Sequence, residues 1–461
     1  MKKLSKVLCG ILGVAFLATG CATVGNIKNS ESEIVYNGNI ASVVDGYLYY
    51  GNSFADYESF TNDSSYKTSA KLSYLARLNT NIAIAAKSKD YSPSNIETVE
   101  KEVVGHNKSF MFVLGQYVYY TTPKREQSEN DSGKLEYNFA CSKIYRSKLN
   151  GDSKKAVYTT DDEIKQIEVL KAGGKYYLVF LAGEKLVKIE LGSKLKTTTI
   201  ATGVGSVALP KTYEKNKEQS TLDWNGYIYY TTTRKVDDNT DITGSVVSKV
   251  SVTGGKAAQV GFIQGKTISF VGRERDVAFY TLDSKTYKLD TNVSGQIALN
   301  SDAYLFYNSE ISNINLIASN VSEKGYLFKA GDDIVYKTTN GDSAVLRFEN
   351  GSTSISTIMF VNGRTIYLQT AEGIFCKDIG SVTITNGVAQ TLEADVVVKM
   401  LDIKTGLYAF DKQYVYFYAH LEDVDGDEGT EIDDYYYLYR SRVGSGSYEL
   451  LSYTYRTSRH S

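Results

Sequence analysis

An all-β chain folded as a single β-propeller of about eight four-stranded blades, with seven as the alternative count, is predicted by three features of the 461-residue sequence. The first is a repeated aromatic strand: GYLYY at 46–50 returns as GQYVYY, NGYIYY, DVAFY and KQYVYF. Such internal repetition outranks local propensity when a fold is read. The second is that each copy is followed by another strand-like run ending in a turn, clearest in KIYRSKLNG at 143–151 and VVSKVSVTGG at 246–255. The third is composition: 38 Tyr and 38 Gly against 3 Pro and 1 Trp describe many short aromatic strands joined by tight turns.

The spacing of the aromatic strands sets the blade count. Their centres fall at Tyr49, Tyr119, Val179, Tyr229, Phe279, Phe328, Tyr367 and Tyr416, with successive gaps of 70, 60, 50, 50, 49, 39 and 49 residues. A gap near 50 suits one four-stranded blade with its turns. The fourth unit reads as strands at 204–209, 226–232, 246–253 and 257–263, and the fifth as 267–271, 277–282, 285–289 and 296–300. Leu305 to Tyr307 competes with Leu327 to Lys329 for the aromatic strand of the sixth. Apolar residues at consecutive positions, as in Tyr47, Leu48, Tyr49 and Tyr50, fit strands buried on both faces between neighbouring blades. Tyrosine suits that place because its ring fills the gap while its hydroxyl reaches water or a carbonyl. Ile34 to Tyr36 and Tyr448 to Tyr455 are expected to close the ring, each adding a strand to the last sheet.

Residues 1–20 read as a signal peptide. Lys2, Lys3 and Lys6 form a basic start, Val7 to Leu17 an apolar stretch too short to span a bilayer, and Ala18, Thr19 and Gly20 a small-residue cleavage site. The run LATGC resembles the bacterial lipobox, with Ala18 where Leu is usual, so Cys21 is expected to carry lipid and 21–31 to be a tether ahead of a propeller over 32–461. An ordinary secretory signal is the alternative. Lipidation would hold the protein on the outer side of the bacterial cell membrane without a spanning helix.

Of four Cys, only Cys141 and Cys376 belong to the folded part, in different blades, and are expected to be buried singly. His106, His420 and His460 are too dispersed for a zinc motif. With 51 basic and 53 acidic residues the chain has no electrostatic footprint for nucleic acid.

VYYTT at 118–122, IYYTT at 228–232 and KIYRSKLNGDSKKAV at 143–157 resemble the YWTD repeats of the low-density-lipoprotein-receptor type of propeller, and bacterial lipoproteins related to it. Tyr stands for the Trp, the closing Asp is absent from both quoted strands, and eight copies exceed the six blades of the receptor type. The resemblance implies a propeller that binds other proteins.

Connections between second and third strands are the long ones: 52–70, 123–136, 235–245 and 420–434. In a propeller they emerge on one face, which picks that face as the working one. In the last of them Asp423, Asp425, Asp427, Glu431, Asp433 and Asp434 offer hard oxygen ligands at the alternation Ca²⁺ favours, with Glu428 where a calcium-binding helix–loop–helix needs Gly. A solvated acidic hairpin is the other reading. GxSxG, HExxH and phosphate-loop motifs are absent. The expected function is non-catalytic binding of a protein or cell-surface glycan. The alternatives are a polysaccharide hydrolase or lyase with carboxylates in the channel, and an envelope assembly scaffold.

Overall fold

The computed structural model describes residues from Ala41 to Ser458, leaving out 53–73, 81–95, 104–109, 124–125, 130–134, 139–140, 210–226, 237–240, 291–292, 318–323, 380–382, 400–408, 411–413, 425–430, 443–447 and four single positions. Eight antiparallel sheets follow one another along the chain, and each runs from inner to outer strand in sequence order. Blade 1 is built from Ala41–Val44, Tyr47–Asn52, Tyr74–Asn79 and Ile96–Val103, and blade 2 from Met111–Leu114, Tyr117–Pro123, Cys141–Lys148 and Lys155–Thr159. Blade 3 takes Ile164–Ala172, Lys175–Ala182, Lys185–Leu191 and Lys196–Ala201; blade 4 takes Val204–Ala208, Tyr227–Lys235, Thr243–Ser251 and Ala258–Gln264. Blade 5 comprises Ser269–Glu274, Val277–Leu282, Lys285–Asp290 and Leu305–Tyr307. Blade 6 opens with Ser312–Ile317, Gly325–Ala330, Asp333–Thr338 and Ser343–Asn350; blade 7 holds Thr357–Asn362, Thr365–Thr370, Gly373–Asp378 and Asp395–Lys399. Ala409–Phe410, Tyr414–Val424, Glu431–Arg442 and Tyr448–Ser458 complete blade 8. The fold is thus an eight-bladed β-propeller, and each of the eight predicted centres lies in the second strand of its blade.

Two expectations need correction, the outer strand of blade 5 and the width of blade 6. The outer strand of blade 5 is Leu305–Tyr307, not 296–300. The latter segment instead lies along the outer strand of blade 4, where Ile297 donates its N–H to the Val260 carbonyl at 2.8 Å. Gly261 makes this possible, since a Cβ there would stand 2.7 Å from Leu299. Of the two segments expected to close the ring, Tyr448–Ser458 does form the outer strand of blade 8, whose four described strands all come from residues 409–458. The expected partner at 34–36 lies outside the described residues. Finally, blade 6 is wider than four strands: Thr353–Ile355 extends it, and Gln390–Glu393, from the long third-to-outer connection of blade 7, pairs in parallel with Ser343–Asn350.

The core sits between blades. Separate buried clusters join blades 2 and 3, 3 and 4, 4 and 5, 5 and 6, and 6 and 7. A further one spans blades 7, 8, 1 and 2 across the two ends of the chain. This explains the continuous apolar runs, because both sheet faces are covered. Tyr49, Tyr50, Tyr120, Tyr229, Tyr280 and Tyr416 are among the largest fully buried side chains. Three of these hydroxyls find the partner a buried phenol needs: Tyr229 donates to the Asp290 carbonyl at 3.0 Å, Tyr280 to the Leu299 carbonyl at 2.5 Å and Tyr120 to Glu100 Oε2 at 2.6 Å. Burial pushes the Tyr49 and Tyr229 phenols up to about 12.

A basic residue in the third strand links each of several blades to the next. Arg77 lies over the Tyr47 ring and donates to the Leu149 carbonyl of blade 2; Arg146 lies over Tyr117 and donates to Gly192 of blade 3. Lys188 with Tyr177 reaches Val252 of blade 4, and Lys249 with Tyr227 reaches Val293 of blade 5. Arg440, over Tyr414 at 4.7 Å, donates to the Thr80 carbonyl and joins blade 8 to blade 1. In each case the acceptor lies just past the end of the neighbour's third strand. Each such charge-assisted bond contributes about 1.5–3 kcal/mol.

Candidate functional site: the hairpin face

In a meander of antiparallel strands, second-to-third connections leave one face of the ring and third-to-outer turns leave the other. The cation links described above lie at the third-to-outer ends, so they occupy the face opposite the second-to-third hairpins. That assigns a packing role to one face and leaves the hairpin face to carry variation.

The hairpins divide the ring unevenly. Blades 3, 5, 6 and 7 turn in two residues: Ala182 pairs with Lys185, Leu282 with Lys285, Ala330 with Asp333 and Thr370 with Gly373. Tight hairpins of this kind need positive φ at their centre, met by Gly183 at 56°, Gly331 at 61°, and Asp283 and Ser284 at 51° and 58°. Blades 2, 4 and 8 do otherwise. The segments expected there as loops are partly strand: in blade 4 the ladder continues to Lys235 opposite Thr243, and in blade 8 to Val424 opposite Ile432. In blade 2, Glu126–Glu129 and Leu135–Asn138 form a separate two-stranded hairpin. The corresponding 53–73 of blade 1 is outside the described residues. Blades 8 and 2 flank blade 1, so two projecting ribbons stand on either side of it. Ile242, 47 % exposed, presents an apolar side chain near the tip of the blade 4 ribbon.

The mouth of the channel on this face is shaped by irregular inner strands. Register shifts fall between Lys165 and Glu168, Val204 and Ser206, Phe270 and Gly272, Ser312 and Asn315, and Ile358 and Phe360. Blades 3 to 7 therefore each carry an inner-strand irregularity, whereas blades 1 and 2 pair regularly. Gln166 and Asn313 take φ of 53° and 51° within these segments. Bulges redirect side chains and occur preferentially near sites. Gln166 and Asn313, both exposed, and the half-buried Ser206 are the polar residues set at these irregularities. Ser206 is also structural: its hydroxyl accepts from the Phe270 N–H at 2.8 Å.

Of the carboxylates expected to hold calcium, Asp423 belongs to the second strand of blade 8, and Glu431, Asp433 and Asp434 to the third. Asp425 and Asp427 lie outside the described residues, as does Cys21. Among the described residues no group of three His, Cys, Asp or Glu is arranged to hold a metal. Cys141 and Cys376 are each buried and not bridged to one another, as expected, and burial pushes the Cys376 thiol up to about 11. The inner-strand bulges were not anticipated, and only Gly205 and Gly272 mark them in the sequence. The cation links had a visible signal: Arg77, Arg146, Lys188, Lys249, Lys288, Lys337, Lys377 and Arg440 each stand in a third strand.

No protein-family model matches the chain, and no curated protein does. Among solved structures it is similar to dipeptidyl peptidase 4 of Porphyromonas gingivalis, at 9% identity and TM-score 0.46, over 92% of this chain and 60% of that one. It is also similar to a protein from Lactobacillus plantarum, at 11% identity and TM-score 0.34, over 73% and 95% of the two chains. Virginiamycin B lyase of Staphylococcus aureus is a third, at 12% identity and TM-score 0.33, over 65% and 94%. At these TM-scores the likenesses add nothing to the architecture that the strand order itself defines.

Proposed function

We propose that this propeller is a lipid-anchored, extracytoplasmic binding module that takes a protein or glycan ligand on its hairpin face and does no chemistry on it. One observation carries the reading: second-to-third connections are tight in blades 3, 5, 6 and 7 and drawn out into ribbons in blades 2, 4 and 8. A purely structural ring has no need of that asymmetry, and ribbons on a rigid scaffold suit recognition. The anchor rests on Cys21 behind its short apolar stretch.

The test is capture of ligand from native envelope by the full chain and by variants with the blade 2 and blade 4 ribbons cut back to two-residue turns. Loss of capture with an unchanged melting profile supports the hairpin face; undiminished capture by both variants refutes it. For the anchor, Cys21→Ser should abolish acylation and membrane retention. A mutant that still partitions with membranes in acylated form would contradict it.

A further inference from the structure

The ribbon of blade 4 leaves a strand edge without a neighbour. Its second strand runs to Lys235, six residues past the centre at Tyr229, whereas in blade 3 the strand ends at Ala182, three past Val179. The inner strand does not follow it outward. That strand begins at Val204, opposite Thr232, where the Val204 N–H donates to the Glu184 carbonyl of the blade 3 turn at 2.9 Å. Beyond that level roughly 10 Å of the second strand, at strand rise, stands clear on its inner side. The other side is paired: Arg234 with Gly244, Lys235 with Thr243, and Val236 donating to the Ile242 carbonyl at 2.9 Å. Alternation along an antiparallel ladder then turns the N–H and C=O of Lys235 toward the open side. Among the described residues no other segment pairs there. At its foot Gly203 is exposed, and a Cβ on it would meet nothing within 4 Å.

Register sorts the side chains of this ribbon. Thr232, Arg234, Val236, Ile242, Gly244 and Phe262 share one face, since directly opposite residues point the same way. It is the face turned to blade 3, because Ile228, Tyr230 and Val250, at alternate positions on the same side, enter the core between blades 3 and 4. The other face turns to blade 5, where Ser245 accepts from the Ile268 N–H at 3.0 Å. Phe262 lies across Gly244, where a Cβ would stand 2.7 Å from the ring, and carries the Arg234 guanidinium 4.4 Å from its centroid. That leaves the half-buried Val236 and the exposed Ile242 as an apolar rung at the tip. Across the gap, the hairpin end of blade 3 is negative. Asp161, Asp162, Glu163 and Glu184 stand there against Lys165 and Lys185, and Asp162 holds Lys185 at 3.4 Å.

Resting on the binding-face reading, we infer that the inner edge of the blade 4 ribbon, at 233–236, takes an extended segment of a partner protein as an added strand. The segment sets an apolar side chain beside the Val236–Ile242 rung and, two residues away on the same face, a Lys or Arg toward blade 3. Main-chain bonds to Lys235 hold it, and its alternate side chains select it. The negative end of blade 3 decides for a basic residue there. This chain already completes another blade in the same manner, since Gln390–Glu393 pairs along the edge of Ser343–Asn350. The ring on this face offers a sugar no platform, because Phe262 lies between Gly244 and Arg234.

The experiment is fluorescence anisotropy of the full chain with a short labelled peptide in which Thr alternates with Val, Lys and Val, so that either strand direction presents the same face. Its controls are the same peptide with Glu for Lys, the same peptide with a fully N-methylated backbone, and a neutral hexasaccharide. The parent peptide should bind and the three controls should not. Lys235→Pro removes the edge N–H but no ladder bond, so it should abolish binding, while Lys235→Ala should bind like the parent. Ile242→Ser should weaken the peptide about tenfold, and Glu184→Gln should weaken it and flatten its salt dependence. The inference is overturned if the parent peptide fails to bind, if the methylated or Glu peptide binds as tightly, if the hexasaccharide alone binds, or if Lys235→Pro binds like the parent. Melting curves separate loss of the edge from loss of the fold; should the proline variant unfold, the methylated peptide reads the same bonds from the partner's side. If envelope capture depends on the blade 2 and 4 ribbons while the peptide fails, the added strand falls and the binding-face reading stands. Capture indifferent to both ribbons removes both.

Discussion

Arg440 of the last blade donates a guanidinium N–H to the carbonyl of Thr80 in the first, 360 positions away in sequence. It is the same link that Arg77 makes to Leu149 and Arg146 to Gly192, here thrown across the ends of the chain. Arg440 is itself held by Glu449 at 2.8 Å from Nε and is almost fully buried. Ring closure therefore uses the ordinary interface between neighbours, supplemented by the shared core of blades 7, 8, 1 and 2.

Arg440→Ala should destabilise the domain by about 2–3 kcal/mol, most of it from the lost bond to a buried carbonyl. Glu449 is 56 % exposed, so its pairing adds only a few tenths. Arg440→Lys should recover part of the loss, since Lys188 and Lys249 make the same link elsewhere. Thermal melts should show a fall of a few degrees for Ala and less for Lys; an unchanged Ala melt would deny the link any part in closure.

Gly151→Ala should be among the most damaging single changes outside the hydrophobic core. The residue has φ of +92°, and a Cβ there would lie 2.4 Å from the Val99 carbonyl oxygen of blade 1, which is backbone and cannot swing away. Strain at positive φ and displacement of the blade 1 edge together should cost about 3 kcal/mol or more. Denaturant unfolding measures it, and a cost below that of an ordinary surface mutation would show that blades 1 and 2 do not meet at this turn.

The buried phenols set an alkaline limit. Tyr49 and Tyr229, held near 12 by burial, keep their protons more tightly folded than unfolded, where about 10 is usual. Their contribution is full below pH 10 and is lost as pH rises from 10 through 12. Arg273, buried and pushed down to about 10 by that burial, acts in the opposite sense over the same range. Two phenols against one guanidinium leave a net loss. Ultraviolet titration should show exposed tyrosines ionising near pH 10 and a second group ionising only together with unfolding. One smooth transition for all phenols, without unfolding, would contradict the packing.

For the acidic tip, millimolar Ca²⁺ should raise the melting temperature, and Asp425→Ala with Asp427→Ala should remove the gain. An ion at ten times its Kd stabilises by about 1.4 kcal/mol. Calorimetry with a Mg²⁺ control decides, because equal small responses in parent and mutant would make the tip a solvated hairpin.

The propeller was legible because its repeat is carried by the element least free to vary: the second strand is buried on both faces, so Tyr49, Tyr229 and Phe279 recur at matched positions. Outer strands are half solvated and carry no such signature, which is why 296–300 looked like the edge of blade 5 while Leu305–Tyr307 took that place. The long connections were visible as lengths, but their pairing was not, since strands such as Tyr414–Val424 continue into polar sequence that reads as loop. The channel rim was hidden because a bulge needs no special residue when Gln166 or Asn313 tolerates positive φ.

The most direct test of the account is hydrogen exchange of the full chain, alone and saturated with its captured ligand. The account predicts new protection in the ribbons at 126–138, 231–247 and 417–438, with little change in the turns at 149–154, 192–195 and 252–257 where the cation links lie. Protection concentrated in those turns, with the ribbons exchanging as before, would contradict it.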